Sequence, residues 1–281
     1  MTFFPLQSKK ISLLTMHAKE RVIAPLMEEK TGCRMIVCRG YDTDQLGTFS
    51  MDIPRPGTQL ETARVKAEIG MALSETRYGL ASEGSFSPHP ACPILTLNLE
   101  LVLFIDSCQR VEIFGEHASL ETNHAQIQVS GMAGVEAFAM KVGFPSHLIM
   151  VRPAGCSIAF RKGLNTWESL EEAVWWGLQH SPLHEVILHT DMRAHANPTR
   201  MRNIEKATYH LIDKIKTCCP RCGMMGYSIT SAIKGAPCAW CGRPTDVVVA
   251  DVYVCQSCCY QEEHPRAVVV AEPGQCLYCN P

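Results

Sequence analysis

Along the first 216 residues the apolar positions switch repeatedly between a strand-like and a helix-like period. Lys10–Thr15 reads as a first strand. Lys19–Lys30 carries a helical stripe of Val22, Ile23, Leu26 and Met27, with Gly32 just past its end. Pro25 inside that stripe leaves a kink or a later helix start open. Arg34–Cys38 is a short strand, and residues 40–57 are a loop rich in Gly, Asp and Pro. Thr58-Gln59-Leu60-Glu61 is a capping box that opens a helix running to about Ser74. Tyr78–Ala81 is a short buried strand, and Leu95–Ile105 and Arg110–Glu116 are two strands joined through Asp106-Ser107-Cys108-Gln109. Gly134–Val142 is a helix that stops near Gly143. A strand at Leu148–Arg152, a helix at Trp167–Gln179 and a strand at Val186–Thr190 follow. Asn197-Pro198 supplies an N-cap and a first-turn proline for a long helix at Arg200–Lys216. The alternation implies an α/β fold, a mixed central sheet with helices on both faces.

The pattern changes abruptly after Lys216. Four Cys-x-x-Cys pairs occupy the last 63 residues: Cys219/Cys222, Cys238/Cys241, Cys255/Cys258 and Cys276/Cys279. Successive pairs are 15, 13 and 17 residues apart, the spacing of zinc knuckles joined by short hairpins. Eight thiolates fill two closed four-cysteine tetrahedra. Such sites leave no position for water, so they fold a small domain and do not catalyse; each contributes on the order of 10 kcal/mol to folding. Cys222-Gly223 and Cys241-Gly242 place glycine where a knuckle needs positive φ. Cys218 and Cys259 are bystanders on this reading. Sequential pairing of the four motifs is simplest. Nested pairing would make Cys238–Cys258 one ribbon around a strand at Asp246–Val254, interleaved pairing is a third arrangement, and iron could replace zinc. The organisation is therefore an α/β domain over residues 1–216 and a double zinc-ribbon domain over residues 217–281.

Composition bounds what these parts can do. The 281 residues are 46% hydrophobic and 19% charged, with a net charge of −2, so no global basic field points to nucleic acid. No apolar stretch approaches a membrane span, Met1–Lys10 does not read as a signal peptide, and the cysteine usage fits a reducing compartment, which together imply a cytoplasmic protein. In the ribbons Arg221, Lys234, Arg243 and Arg266 are balanced by Asp246, Asp251, Glu262, Glu263 and Glu272. A scaffold or partner-docking role is favoured there over direct nucleic-acid binding.

Three segments of the α/β part carry polar residues that packing alone does not require. Thr15-Met16-His17-Ala18-Lys19-Glu20 leaves a strand and enters a helix, which suits a phosphate held by Thr15, His17 and Lys19. Ser82-Glu83-Gly84-Ser85 sets a carboxylate at a strand's carboxyl end, a place for a metal ligand or general base. Thr190–Arg200 gathers Asp191, Arg193, His195, Asn197 and Arg200 before another helix. Asp42 and Asp44 are candidates for Mg2+ or for turn capping.

The order of these segments resembles the inosine-triphosphate-pyrophosphatase-like enzymes over residues 12–116. Thr15-Met16-His17-Ala18-Lys19 is similar to that family's Thr/Ser-x-Asn-x-x-Lys, one residue short and with His for Asn. Glu61-Thr62-Ala63-Arg64-Val65-Lys66-Ala67 resembles its Glu-Asn-Ala-x-x-Lys-Ala, and Ser82-Glu83-Gly84-Ser85 its acidic signature. The whole layout, ending in Cys-Leu-Tyr-Cys-Asn-Pro, is also similar to a bacterial family of unknown function with C-terminal zinc knuckles. The resemblance implies a Mg2+-dependent phosphohydrolase acting on a nucleotide or similar phosphorylated small molecule. Lys19, Lys66, Arg193 and Arg200, with Thr15, His17, Ser85 and His195, would hold phosphate; Glu83 would act with Asp191 or Asp44. The rival is a non-enzymatic module that binds a nucleotide or RNA end and docks to a protein through its ribbons.

Overall fold

A computed structural model describes residues 6–41, 57–267 and 270–280. The expected strands and helices are present, but they build two sheets before the cysteine-rich segment rather than one. The first sheet is five-stranded, in the order β2 (Arg34–Cys38), β1 (Lys10–Leu14), β3 (Tyr78–His89), β4 (Cys92–Asp106), β5 (Val111–Ser119). β1 runs parallel to β2 and to β3, while β3, β4 and β5 form an antiparallel meander, so the sheet is mixed.

Period-2 alternation gives this sheet two apolar faces. Leu80, Val102, Phe104 and Ile113 pack with α1 (Glu20–Thr31) and α5 (Pro198–Lys216) through Ile23, Met27, Ile204 and Leu211. On the other face Ala81, Leu101, Leu103 and Ile105 meet Ala63 and Ala67 of α2 (Gln59–Ser74). Helices thus cover both faces, as the alternation implies.

The second sheet is antiparallel, in the order β6 (Gln126–Val129), β9 (Val186–Thr190), β7 (Ile149–Pro153), β8 (Arg161–Leu164). α3 (Met132–Val142) and α4 (Trp167–His180) pack on its apolar side through Val135, Phe138, Leu170 and Val174. β6 and β8 are four-residue edge strands with mostly exposed side chains, so no alternation announces them.

Local signals fix the helix ends. The Thr58 hydroxyl accepts from the Glu61 N–H while Glu61 Oε2 accepts from the Thr58 N–H. Gly32 and Gly143 close α1 and α3 in the left-handed conformation, and Asn197 caps α5 ahead of Pro198. α1 runs through Pro25 without interruption. The larger departure is β3. It does not end at Ala81 but continues to His89, paired residue by residue with β4, and β4 itself starts at Cys92 rather than Leu95.

In the cysteine-rich segment β10 (Ser228–Lys234), β11 (Val248–Val254) and β12 (Gln261–Pro265) form an antiparallel meander. This segment grips the main sheet. The Gln256 amide donates to Glu112 O (2.6 Å) and accepts from Glu112 N–H (3.2 Å) along the outer edge of β5, and Met224 and Met225 pack on the core beneath α5. No helix among the described residues is long and apolar enough to cross a membrane.

Candidate functional site

The eight paired cysteines converge in two groups of four: Cys219, Cys222, Cys255 and Cys258, and Cys238, Cys241, Cys276 and Cys279. First joins third and second joins fourth, so the interleaved arrangement holds, in place of the sequential and nested ones. The reason is the meander, which carries each knuckle past its neighbour. The closest sulfurs are 3.7 Å (Cys219–Cys258), 3.6 Å (Cys222–Cys255), 3.8 Å (Cys238–Cys279) and 3.7 Å (Cys241–Cys276) apart. A tetrahedron with Zn–S bonds of about 2.3 Å has sulfurs about 3.8 Å apart, whereas a disulfide holds them at about 2.05 Å. The donor sets therefore fit one zinc each.

All four knuckles make the same backbone turn. The residue after the second cysteine donates to the carbonyl of the first: Gly223 to Cys219 (2.9 Å), Gly242 to Cys238 (2.9 Å), Cys259 to Cys255 (3.0 Å) and Asn280 to Cys276 (2.8 Å). Gly223 (φ 75°), Gly242 (φ 68°) and Cys259 (φ 56°) take positive φ. Cys259 is thus a turn residue with an exposed thiol, and it and Cys218 stand outside both groups. Each group holds one thiol prepared as a thiolate and one pushed the other way: against the Met224 N–H, neighbouring thiols and burial push Cys222 up to about 12, and the Cys241 thiol pushes Cys279 up to about 12. Burial pushes Cys219 up, but the N–H groups of Cys222 and Arg221 outweigh it and hold the thiol at about 7. The N–H groups of Cys241 and Trp240 hold Cys238 at about 7.

A second constellation lies where β1 ends beside β3. Parallel pairing of β1 with β3 stops at Leu14–Ala81, so from Ser82 onward that edge of β3 has no β1 neighbour. Because α1 and α2 cover opposite faces of the sheet, this is the carboxyl end of β1, the place where α/β sheets commonly bind ligands. The turn from β1 to α1 delivers Lys19, whose Nζ donates to Ser82 O (2.9 Å) and Ser82 Oγ (3.4 Å).

Strand alternation splits the charges between faces. Glu83 stands on the α2 face and is paired with Lys66. Glu100, on the opposite face, is paired with Arg200 of α5, Nε to Oε1 at 2.7 Å, with both side chains 0% exposed. Asn98 donates to Glu100 Oε1 (2.9 Å), Asn203 donates to Asn98 Oδ1 (2.9 Å), and Arg200 Nη1 donates to Met192 O (2.7 Å). A Cβ on Gly84 would lie within 2.5 Å of both Glu100 carboxylate oxygens and of Arg200 Nη2, so glycine is required there for lack of room.

Burial is the main cause that holds the Lys19 ammonium down at about 8. The nearby Arg200 guanidinium and Lys66 add to the effect, and Glu83 and Glu100 oppose it. Lys66 pairs with Glu83 and Arg200 with Glu100, whereas Lys19 has no carboxylate of its own among the described residues.

The other candidates fall around this core. Ser85 Oγ donates to Gln59 Oε1 (3.1 Å), and Gln59 Nε2 donates to Glu83 O (2.8 Å) and Leu99 O (3.0 Å), tying the start of α2 to the β3–β4 pair. The Thr15 hydroxyl donates to Met16 O (3.1 Å), within its own turn. His17 (φ 63°) and His195 face each other across the two loops, ring centroids 5.1 Å apart, and burial, then Arg193, lowers His195. Asp191 does not turn to Glu83. Its carboxylate is fully buried and accepts from the Arg193 N–H (3.0 Å) and from Arg193 Nε (3.0 and 3.1 Å) and Nη2, which fixes the loop ahead of α5. Asp44 lies outside the described residues. With Glu83 and Glu100 on opposite faces and Asp191 holding Arg193, the described carboxylates form no cluster for a hard cation; the two cysteine groups are the sets of three or more ligands found among the described residues.

Sequence reasoning passed over Glu100, Asn98, Asn203 and Gln59. The signal was present: Asn98 and Glu100 occupy the inward positions of a strand whose next inward residues are Val102 and Phe104, and Asn203 lies one helical turn from Arg200.

No curated protein and no solved structure matches the chain. The model of a family described as "Domain of unknown function (DUF6671)" matches residues 66–281, from the Lys66 turn of α2 through both cysteine groups, and the chain therefore belongs to that family.

Proposed function

We propose that the chain is a phosphohydrolase acting on a nucleotide or similar phosphorylated small molecule, seated in a crevice where β1 ends beside β3. The observation that carries this reading is Lys19, a buried cation with no carboxylate of its own among the described residues. Lys19, Lys66 and Arg200, from three helices or their leading turns, converge on a segment that also presents Glu83; among the described residues Lys66 pairs with Glu83 and Arg200 with Glu100. Phosphoryl transfer asks chiefly for positioning and neutralisation of charge, which these groups supply. In this reading phosphate binds at Lys19, Arg200 stiffens the floor through Glu100, and Glu83, released from Lys66 as phosphate takes that ammonium, accepts a proton from the attacking water. A divalent cation would arrive with the substrate, since the described carboxylates do not gather one. The two cysteine groups serve as structural zinc sites. The motif order that resembles inosine-triphosphate-pyrophosphatase-like enzymes makes ITP and XTP the first substrates to try.

One observation favours a second reading. Glu83 is already engaged by Lys66, so the same crevice could bind a phosphorylated ligand without turnover.

The test is a phosphate- and pyrophosphate-release screen over nucleoside triphosphates with Mg2+ or Mn2+, run on zinc-loaded protein beside Glu83→Gln and Lys19→Met, with nucleotide binding measured by calorimetry. Release abolished by Glu83→Gln with binding retained establishes the hydrolase. Binding lost in Lys19→Met without release from any variant establishes the binding module. Neither release nor binding refutes both.

A further inference from the structure

The two cysteine groups use their knuckle tips differently. Around Cys219, Cys222, Cys255 and Cys258 the intervening residues are Pro220-Arg221 and Gln256-Ser257, and this group is turned to the main sheet, where Gln256 clasps Glu112. Around Cys238, Cys241, Cys276 and Cys279 they are Ala239-Trp240 and Leu277-Tyr278. Those side chains are left in solvent: Trp240 is 79% exposed, Leu277 72% and Tyr278 65%. Both loops wrap one sulfur cluster, so the three lie on one tip. The Arg243 guanidinium carbon lies over the Tyr278 ring, 4.2 Å from its centroid.

Knuckle turns need no large apolar residue at these positions, as the first group shows. Trp, Tyr and Arg are the side chains that carry most of the binding energy at protein interfaces. Three large apolar groups held on a metal-braced turn also lose little freedom on binding, which favours a docking role.

The charges decide the kind of partner. Lys234 is paired with Asp246 and Arg266 with Asp251, whereas Arg243 has no carboxylate partner among the described residues. One available cation beside a four-thiolate zinc centre of net charge −2 suits a single carboxylate and repels a run of phosphates.

We propose that the tip formed by Trp240, Leu277, Tyr278 and Arg243 is a docking surface for a protein partner that presents a short apolar segment carrying one carboxylate. Trp240 and Leu277 take the apolar side chains, and Arg243, lying over Tyr278, takes the carboxylate.

The experiment pans a random peptide library displayed on phage against the zinc-loaded full chain, with the Trp240→Ser/Leu277→Ser double variant as counter-target. Selected peptides are then titrated by fluorescence polarisation. All four positions are at the surface, and zinc content with circular dichroism verifies the fold of each variant. The expected result is enrichment of apolar peptides bearing Asp or Glu. Their affinity falls at least tenfold in Trp240→Ser, and severalfold in Arg243→Gln at low salt only. Peptides that bind wild type and the counter-target alike would overturn the proposal, as would peptides indifferent to Arg243→Gln. Tighter, Trp240-dependent binding of a twelve-nucleotide oligouridylate would replace it with a nucleic-acid surface. Concentration-dependent dimerisation abolished by the double variant would replace it with self-association.

Discussion

Replacing Gly84 by alanine tests whether the buried ion pair of Glu100 and Arg200 is a rigid floor beneath β3. The added Cβ would fall within 2.5 Å of both Glu100 oxygens and of Arg200 Nη2, where an ordinary contact is at least 3.4 Å. The carboxylate would have to retreat by about 1 Å. It is held by Arg200 Nε at 2.7 Å and by Asn98 Nδ2 at 2.9 Å. A retreat of that size takes both beyond hydrogen-bonding range, about 3.2 Å for N–H···O. Overpacking alone costs about 1–3 kcal/mol, and separating a fully buried charge pair about 3–5 kcal/mol. Partial loss of the pair therefore implies destabilisation of about 3 kcal/mol. At about 2–4 °C per kcal/mol for a chain approaching this size, Tm drops by about 6–12 °C.

The assay is thermal unfolding followed by near-ultraviolet circular dichroism at fixed saturating zinc, because metal bound to the native state also shifts Tm. Two comparisons calibrate it. A Cβ on Gly274 meets nothing within 4 Å, so Gly274→Ala should leave Tm within about 1–2 °C of wild type, as surface substitutions do. A Cβ on Gly115 meets backbone, including Leu211 Cα at 2.7 Å, which cannot swing aside, so Gly115→Ala should be at least as damaging as Gly84→Ala. Glu100→Asp, one methylene shorter, should restore part of the loss in the Gly84→Ala background. If Gly84→Ala melts with Gly274→Ala, or if Glu100→Asp deepens the loss, the carboxylate is free to move and the rigid-floor reasoning is wrong.

Metal analysis should give two zinc ions per chain, falling to one in Cys222→Ser and in Cys241→Ser and staying at two in Cys218→Ser; loss of zinc in Cys218→Ser would contradict the grouping. Cys259→Gly, at φ 56°, should retain both ions and raise stability by up to about 1 kcal/mol in urea unfolding, because glycine occupies the left-handed region without a Cβ penalty; a clear destabilisation would show that the thiol has a structural role. Lys19 sits at about 8 when folded, held down by burial and Arg200, against 10.5 ordinarily. Between those values the unfolded chain binds the additional proton, so stability should rise with pH from about 8 to 10.5, by about 3 kcal/mol in the limit of the full shift at about 1.4 kcal/mol per unit. Lys19→Met should lack that rise in urea unfolding measured at pH 7.5, 9 and 10, and identical slopes in both proteins would refute a buried, depressed Lys19.

What the chain's own order of residues determined was local. Helix ends follow from side chains within a few positions, as in the Thr58–Glu61 capping box, Asn197 ahead of Pro198 and the glycines past α1 and α3, because caps satisfy backbone groups one turn away. The four cysteine pairs and their positive-φ glycines are equally local, so the ligands and the knuckle turns could be read directly.

Which pairs share a metal was decided by the tertiary structure. The three spacings are alike, and only the β10–β11–β12 meander brings the first pair to the third. The same holds for β3. Ser82–Ser87 looks like a loop because its polar side chains have no local reason to be extended; pairing with β4 supplies the reason, and only the pair shows that Glu83 and Glu100 stand on opposite faces. The division into two sheets was hidden for a related cause, since short exposed edge strands such as β6 and β8 carry no hydrophobic period and exist by virtue of the strand beside them. Hydrophobic period and capping act over one or two turns of chain, whereas strand partners, sulfur clusters and buried charge pairs join residues tens of positions apart. Arg200 and Glu100, 100 residues from one another in sequence, are a single buried unit only once α5 lies on β4.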